Sequence, residues 1–393
     1  MNSNPSNSFK VIIGSQYFIY FGVLGIFLPF FNLYCYHIGF SGFQIGNISS
    51  LRSVVTILFS IVWGILADRF QARRPMYILC CIISTIAWSF FLYTSDYKTM
   101  LVIMFFYGIF YAPIISFLEA FTMDVLEKNK EYYGRIRVWG SINFILVVII
   151  AGKIIDLYSI EVILLFILTG SLLQAIISVK MPEIKIEKKE YFTADIKVLF
   201  NKRVIIFLFC SFLMLVSHGT FYGFFSIHLE NLGYGKTSIG LTWALAVIAE
   251  ILVMIKSDMI FKRFSLENVL IFSFLVAFIR WAVLFFAQSF LLIIISQLFH
   301  AVTYGAFHIA SILYIDLLTP DRAKTTGQSV NNAVTYGLGM MVGFFFNGYF
   351  FESLGSFNLF FISALIALTG GLIFSGFHLF VNKSVSVHRR RRL

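Results

Sequence analysis

Charged residues are scarce in this sequence, and so are cysteines. Only 12% of the 393 residues are Asp, Glu, Lys or Arg, about half the share of a soluble globular domain. The four cysteines lie inside apolar runs without the spacing of metal ligands, so neither a disulfide framework nor a zinc site is indicated. With 59% apolar residues, the composition excludes an ordinary soluble protein and indicates an integral membrane protein.

Long apolar runs follow one another along the chain. A transmembrane helix needs about 20 apolar residues, and twelve runs reach that length, near residues 9–34, 43–67, 75–95, 99–123, 136–157, 160–180, 204–229, 238–261, 268–288, 290–315, 327–350 and 357–381. The first run is longer than a signal-peptide core, so no cleaved signal is expected. We expect an all-α integral membrane protein with twelve transmembrane helices.

The basic residues lie in alternate loops between these runs. Of the Lys and Arg residues outside the helices, only Lys98, Lys153 and Lys236 fall on the side opposite the termini. The positive-inside rule therefore places both termini in the cytoplasm of a multi-pass inner-membrane protein. The net charge of +11 is explained by this topology, so we expect no nucleic-acid partner.

One long hydrophilic connection, residues 181–203, divides the chain into two sets of six runs. The sequence IGFSGFQIG (38–46) matches LGYGKTSIG (232–240), and Arg69-Phe70 matches Arg263-Phe264, all at an offset of 194 residues. This repeat predicts two pseudo-symmetric six-helix bundles, residues 1–180 and 204–393, the second with a basic cytoplasmic tail. Parallel repeats with a binding site at the midplane are typical of one class of secondary transporter.

Two charges lie inside apolar helices of the first half. Glu119 is roughly 10 Å from the cytoplasmic end of the fourth run, and Arg137 begins the fifth run at a similar depth. As a pair they would neutralise each other and still offer hydrogen bonds to a ligand. The alternative is structural: Arg137 extends to the interface and Glu119 forms an ion pair. Arg52, in the second run, is a further candidate for contact with an anionic substrate, unless an acid pairs with it.

The second half carries its own buried charges. Glu250 lies near the middle of the eighth run, where a carboxylate is most costly, and Arg280 and His300 reach a similar depth. A carboxylate that gains and loses an arginine during the cycle could bind and release a proton, so we expect Glu250, Arg280 and His300 to couple protons to transport. His218 is a weaker member of this group, and His308 is more typical of a packed core histidine.

The motif GILADRFQARRP (64–75) resembles the loop signature of the major facilitator superfamily, which implies a cytoplasmic gate formed by Asp68, Arg69 and Arg73. The segment LEAF…YYGRIRVWGS resembles lactose permease, and QLFHAVTYGAFHIASILYI with WALAVIAEI is similar to the phenylpropionate permease branch. The resemblance covers essentially the whole chain.

The resemblance to lactose permease implies roles for four residues. Glu119 and Arg137, at the same separation as a glutamate and an arginine of that permease, would bind substrate; Arg280 and His300 would serve coupling and binding. Thr303 stands where the permease has its proton-carrying glutamate. Glu250 is the natural replacement, and a sodium-coupled or uncoupled carrier is the alternative.

Together these patterns predict a transporter and not an enzyme. The chain has no metal-ligand spacing, nucleophile elbow or phosphate loop, so we expect no catalytic residue, metal or cofactor. We expect a monomer in the lipid bilayer that takes up a small organic solute with a proton by alternating access, and the resemblance favours an aromatic carboxylate such as 3-phenylpropionate. A sugar or nucleoside symporter and an exporter of drugs or lysolipids are the alternatives.

Overall fold

The structure is a computed structural model that describes residues 5–126, 132–183 and 200–390, with the side chains of residues 8–380 except Arg322. Most of the predicted linker 181–203 and the end of the basic tail lie outside the described residues. So do the side chains of Arg389 and Arg390.

Six long helices form the first half, and each coincides with a predicted run. They are α1 (Pro5–His37), α2 (Gly42–Phe70), α3 (Arg73–Ser89), α4 (Tyr97–Leu126), α5 (Tyr133–Leu157) and α6 (Val162–Ser178), with a 3₁₀ turn at Phe90–Tyr93 that lengthens α3. Ser41 caps α2: its hydroxyl accepts from the N–H of Gln44, and the Gln44 amide accepts from the N–H of Ser41.

Helices of the second half are more often interrupted. They are α7 (Lys202–Asn231), α8 (Lys236–Ile255), α9 (Ser257–Arg263), α10 (Leu266–Phe286), α11 (Phe290–Leu298), α12 (Phe307–Leu318), α13 (Lys324–Asn331) and α14 (Met340–Arg390). Two π-helical segments, Ala301–Ala306 and Asn332–Gly339, join α11 to α12 and α13 to α14. Gly355, with φ of 73°, breaks α14 into two helices.

The number of spans agrees with the sequence. Among the described residues, ten helical ranges are long and apolar enough to cross a membrane, and α6 is a shorter apolar helix. The last of the ten ranges contains the break at Gly355 and holds two spans. When the last range is counted as two spans and α6 is added, the described residues hold twelve spans. The prediction of an all-α membrane protein is therefore confirmed. Large apolar side chains such as Ile65, Val102 and Leu172 are exposed, as lipid-facing residues are.

The chain forms two compact units. One comprises Met1–Glu190 with Tyr222–Ala244, and the other comprises Tyr191–Phe221 with Leu245–Leu393. The end of α7 and the start of α8 therefore pack with α1–α6. The predicted domain boundaries at 180 and 204 stay a prediction.

The internal repeat is visible in the backbone. Gly39 has φ of 89° and Gly233 has φ of 88°, and the two glycines are 194 residues apart, the offset of the sequence repeat. Each lies in the turn before a helix, α2 or α8, and adopts a conformation that glycine reaches without the steric cost other residues meet. The same turn thus begins the second helix of each half.

Candidate substrate and proton sites

Helices α1, α2, α4 and α5 place six polar or charged side chains together in the first unit. This N-terminal cluster consists of Tyr20, Arg52, Tyr107, Tyr111, Glu119 and Arg137. Tyr20 is its centre, because the charges of Arg52, Arg137 and Glu119 and the hydroxyl of Tyr111 all lie close enough to interact with its own hydroxyl. Three of the four predicted substrate-binding residues therefore lie near one tyrosine.

Arg137 lies against aromatic rings. Its guanidinium carbon is 3.7 Å from the ring centroid of Phe21 and 5.4 Å from that of Tyr17. Glu119 is within its electrostatic reach, but within the described part of the chain Arg137 forms no ion pair with a carboxylate. The cation–π contact with Phe21 thus holds the guanidinium where the sequence led us to expect a salt bridge. The roles of Glu119 and Arg137 in substrate binding remain predictions.

Arg52 is also surrounded by rings. Its guanidinium carbon is 4.9 Å from the ring centroid of Phe27, and the groups that interact with its charge are Tyr20, Tyr107 and Tyr111. No carboxylate among the described residues forms an ion pair with it. Arg52 thus differs from Arg137, which has Glu119 as a neighbour.

The three tyrosines beside Arg52 form a stack. The ring centroids of Tyr20 and Tyr111 are 5.3 Å apart, and those of Tyr107 and Tyr111 are 4.9 Å apart, with nearly parallel planes. Tyr111 is 9% exposed. Its buried hydroxyl has the hydroxyls of Tyr20 and Tyr107 as neighbours but meets the geometry of a hydrogen bond with no described residue. The sequence analysis missed Tyr111; its place one helical turn after Tyr107 is the signal that was available.

In the second unit, Arg280 is completely buried. One terminal nitrogen donates to Nδ1 of His300 at 2.8 Å and to the hydroxyl of Thr303 at 3.1 Å, and the other donates to Oε1 of Gln297 at 3.2 Å. Its guanidinium carbon also lies 4.4 Å from the ring centroid of Phe221. Thr303 therefore contacts the arginine, and Gln297 is a partner that the sequence analysis missed.

His300 lies between Arg280 and Glu250. Because an arginine only donates, Nδ1 of His300 accepts, and a neutral His300 carries its proton on Nε2. That nitrogen is 3.8 Å from Oε2 of Glu250. The structure thus brings Glu250, His300 and Arg280 together, as the sequence led us to expect, in the order carboxylate, imidazole, guanidinium. We call these three residues with Gln297 and Thr303 the C-terminal cluster; their role in coupling remains a prediction.

Two further histidines, His308 and His218, lie next to this cluster. The rings of His300, Tyr304 and His308 follow one another with centroids 5.2 and 6.1 Å apart, and Nδ1 of His308 is 2.5 Å from the hydroxyl of Tyr336. Tyr304 and Tyr336 each lie in one of the two π-helical segments, which are often found at functional sites. His218 instead donates from Nδ1 to the carbonyl of Met214 at 2.8 Å, and its ring centroid is 6.4 Å from that of His300.

The predicted gate residues lie where α2 ends and α3 begins. Arg73 is 3.7 Å from Asp68 and makes a shorter contact with Asp124, at the end of α4. Arg69 is exposed, with its guanidinium 5.8 Å from the ring centroid of Phe70. Asp124 was missed by the sequence analysis because its position in the sequence gives no indication that it faces Arg73.

Comparisons with known proteins agree with this architecture. The chain is 26% identical over 366 residues to the Escherichia coli protein named "Probable 3-phenylpropionic acid transporter", covering 90% of this chain and 93% of that one. It is 23% identical to the maltose permease of Geobacillus stearothermophilus, covering 93% of each chain. The crystal structure of the nucleoside transporter NupG (D323A mutant) superposes with a TM-score of 0.86 at 18% identity, covering 94% of this chain and 99% of that one, and so shares its fold.

A family model described as the MFS_1 like family matches residues 11–362. Helices α2 to α13, the repeated turn before α2 and α8 and the charged clusters all lie within this range, which also takes in most of α1 and part of α14. The chain belongs to the MFS_1 like family, and it is a multi-pass membrane transporter of the major facilitator fold for small molecules.

Proposed function

We propose that the protein takes up a small organic anion, an aromatic carboxylate similar to 3-phenylpropionate, together with a proton. The observation that carries this proposal is the environment of Arg52: it lies within an apolar helix, its neighbours are aromatic rings, and it forms no ion pair with a carboxylate of the described residues. A charge inside the membrane is expensive unless a partner neutralises it. An anionic substrate supplies that partner, and the rings of Phe21, Phe27 and Tyr20 supply apolar contact for an aromatic group.

The proposed proton site is the C-terminal cluster. A proton on Glu250 neutralises its carboxylate. A second proton on the ring of His300, so that both ring nitrogens carry one, places a positive charge between Glu250 and Arg280. Because Nδ1 of His300 accepts from Arg280, a protonated His300 has to release that contact. Proton binding at Glu250 or His300 would therefore change how Arg280 is held, which supports a link between protonation and rearrangement of α10 against α8 and the residues that join α11 to the first π-helical segment. His300 is proposed to bind substrate as well.

The remaining parts of the proposal concern topology and movement. We place the protein in the inner membrane as a monomer, with both termini cytoplasmic, because the basic residues lie in the loops on the termini side. Transport proceeds by alternating access. Asp68, Arg69 and Arg73 form the cytoplasmic gate, and the Arg73–Asp68 and Arg73–Asp124 contacts support this assignment.

A second candidate substrate class is a sugar or nucleoside. Glu119 near Arg137 offers both an acceptor and a donor, which hydroxyl groups of such a solute can use. Relatives named for maltose and nucleosides add weight to this alternative. Export of drugs or lysolipids is a third candidate, since the positions of the charges do not set a direction.

Uptake into proteoliposomes tests the proposal. Labelled 3-phenylpropionate is supplied under an imposed pH gradient, with unlabelled maltose and a purine nucleoside as competitors and Arg52→Ala as the variant control. We expect gradient-driven accumulation that is lost in Arg52→Ala and unaffected by either competitor. Accumulation that survives collapse of the gradient would remove proton coupling from the proposal. Uptake of labelled maltose or nucleoside, but not of 3-phenylpropionate, would replace the carboxylate with the second substrate class.

A further inference from the structure

We propose that Arg52, and not Arg137, binds the carboxylate of the substrate, and that Tyr111 sets the specificity for a carboxylate by bonding one of its oxygens. This inference rests on the proposed function, because it names the residues that recognise the anion. It is carried by the difference between the surroundings of the two arginines and by the buried hydroxyl of Tyr111.

The surroundings of Arg137 already compensate its charge in part. Phe21 covers the face of its guanidinium at 3.7 Å, and Glu119 lies within its electrostatic reach. A carboxylate that approached Arg137 would also approach Glu119 and be repelled by it. The pair of Glu119 and Arg137 is better suited to polar, uncharged groups of a solute.

Among the residues that the structure describes, no carboxylate forms an ion pair with Arg52. Its electrostatic neighbours are the three stacked tyrosines, and its cation–π contact with Phe27 is longer, at 4.9 Å. Arg52 lies about ten residues into α2 and Tyr107 about ten residues into α4, so both lie roughly 15 Å from the same side of the membrane. An arginine at this depth whose described neighbours are the rings of tyrosines and Phe27 can accept an anion as its neutralising partner.

Tyr111 provides the second observation. Its hydroxyl is buried beside Arg52, has the hydroxyls of Tyr20 and Tyr107 as polar neighbours besides the arginine, and meets hydrogen-bond geometry with no described residue. Native proteins rarely leave a buried donor without an acceptor. A carboxylate oxygen held by Arg52 is an acceptor of the right kind, and the stacked rings of Tyr20 and Tyr111 form an apolar wall that suits the aromatic part of the same ligand.

The test compares a charged ligand with its neutral analogue. Dissociation constants for 3-phenylpropionate and for 3-phenylpropionamide are measured by thermal shift on the purified full-length protein, for wild type and for the variants Arg52→Gln, Arg52→Lys, Arg137→Gln and Tyr111→Phe. In wild type we expect the acid to bind roughly 10- to 100-fold more tightly than the amide, the contribution of a charge-assisted hydrogen bond. Arg52→Gln should reduce this ratio to about one, mainly by weakening the binding of the acid. Arg52→Lys should keep part of the ratio.

Tyr111→Phe separates a binding role from a structural one. Since the hydroxyl meets hydrogen-bond geometry with no described residue, its removal should leave the melting temperature of the ligand-free protein unchanged or raise it. The same change should weaken the binding of 3-phenylpropionate about three- to tenfold. Tyr77→Phe is the matched control. The Tyr77 hydroxyl is equally buried but donates to Gln16 at 2.8 Å, so this variant should lower the melting temperature and keep the ratio of acid to amide.

The outcomes are distinct. If Arg52→Gln keeps the ratio of acid to amide and Arg137→Gln abolishes it, the inference is overturned and the proposed function stands. If wild type binds neither ligand, the proposed aromatic carboxylate is wrong, and the inference fails with it. Should Arg52→Gln not fold, the ratios of Arg52→Lys and Tyr111→Phe decide: wild-type ratios in both would overturn the inference.

Discussion

Asp156, at the end of α5, caps the first turn of α8 through Thr237. Its Oδ2 accepts from the N–H of Thr237 at 2.8 Å and from the Thr237 hydroxyl at 2.6 Å, and its Oδ1 accepts from the N–H of Lys236 at 2.7 Å. In the first half of the repeat, Ser41 caps α2 from within the same helix. The corresponding position before α8 is Gly235, so here the cap comes from another helix.

Removal of this cap should loosen the start of α8. Asp156→Ala deletes the acceptor of two peptide N–H groups and the negative charge that favours a helix N-terminus. A cap contributes about 1 kcal/mol, so we expect hydrogen–deuterium exchange at residues 236 and 237 to rise about five- to tenfold. The measurement uses the purified full-length protein.

Asp96 is the matched control for that experiment. Its Oδ2 accepts from the N–H and hydroxyl of Thr99 at the start of α4, both at 2.8 Å. Asp96→Ala should accelerate exchange at the start of α4 and leave α8 as in wild type. Wild-type exchange at residues 236 and 237 in Asp156→Ala would mean that the close backbone contact at Gly152, where an added Cβ would lie 2.4 Å from the carbonyl oxygen of Lys236, holds α8 without the cap.

Glu250 should be needed for coupling but not for substrate exchange. Glu250→Gln keeps the shape and hydrogen-bonding capacity of the side chain but cannot bind and release a proton. We therefore expect pH-gradient-driven accumulation to be abolished while exchange of internal for external substrate continues. The two assays are run on the same proteoliposomes, with Glu267→Gln, in the first turn of α10, as the control. Accumulation by Glu250→Gln at the wild-type level would assign the proton to another group.

The sequence was sufficient for the positions of the helices and of the charges that lie within them. Each predicted run lies within a few residues of an observed helix because twenty apolar residues in a bilayer have no alternative to a helix. The repeat was equally informative: the matched glycines at 39 and 233 adopt the same positive φ. The contact between Arg280 and His300 agrees with the expectation that a buried guanidinium requires partners at its own depth, while the coupling role of the pair stays a prediction.

Most of the other contacts between side chains of different helices could not be predicted. When a helix is apolar on all sides, its sequence does not show which face points to the protein interior. The rotation of such a helix about its axis is therefore set by packing against its neighbours. This is why Arg137 was expected to pair with Glu119 and instead lies over Phe21. It is also why Asp124 as a partner of Arg73, and Asp156 as the cap of α8, were found only in the structure.

His300 should contribute more to stability than His218. Both histidines are buried, but His300 accepts from a charged guanidinium at 2.8 Å, whereas His218 donates to a neutral carbonyl. His300→Leu should therefore cost about 1.5–3 kcal/mol and His218→Leu about 1 kcal/mol. Melting temperatures of the purified variants check the order. Equal losses would mean that Gln297 and Thr303 suffice to hold Arg280, and His300→Asn, which restores an acceptor, should recover part of the loss.

Arg73 and Asp124 should be energetically coupled. The side chain of Arg73 is 15% exposed and that of Asp124 is 33% exposed, so water screens the pair in part and the coupling should be about 0.5–1 kcal/mol. A double-mutant cycle with Arg73→Gln and Asp124→Asn, read out as unfolding in a denaturant titration, measures it without a substrate. A control cycle combines Arg74→Gln with Asp124→Asn, because Arg74 donates to the carbonyl of Val179 and not to Asp124. The changes in unfolding free energy of these two variants should be additive. An additive result in the first cycle would show that Asp124 does not stabilise the proposed gate, and Asp68, at 3.7 Å, would remain as the acid that holds Arg73.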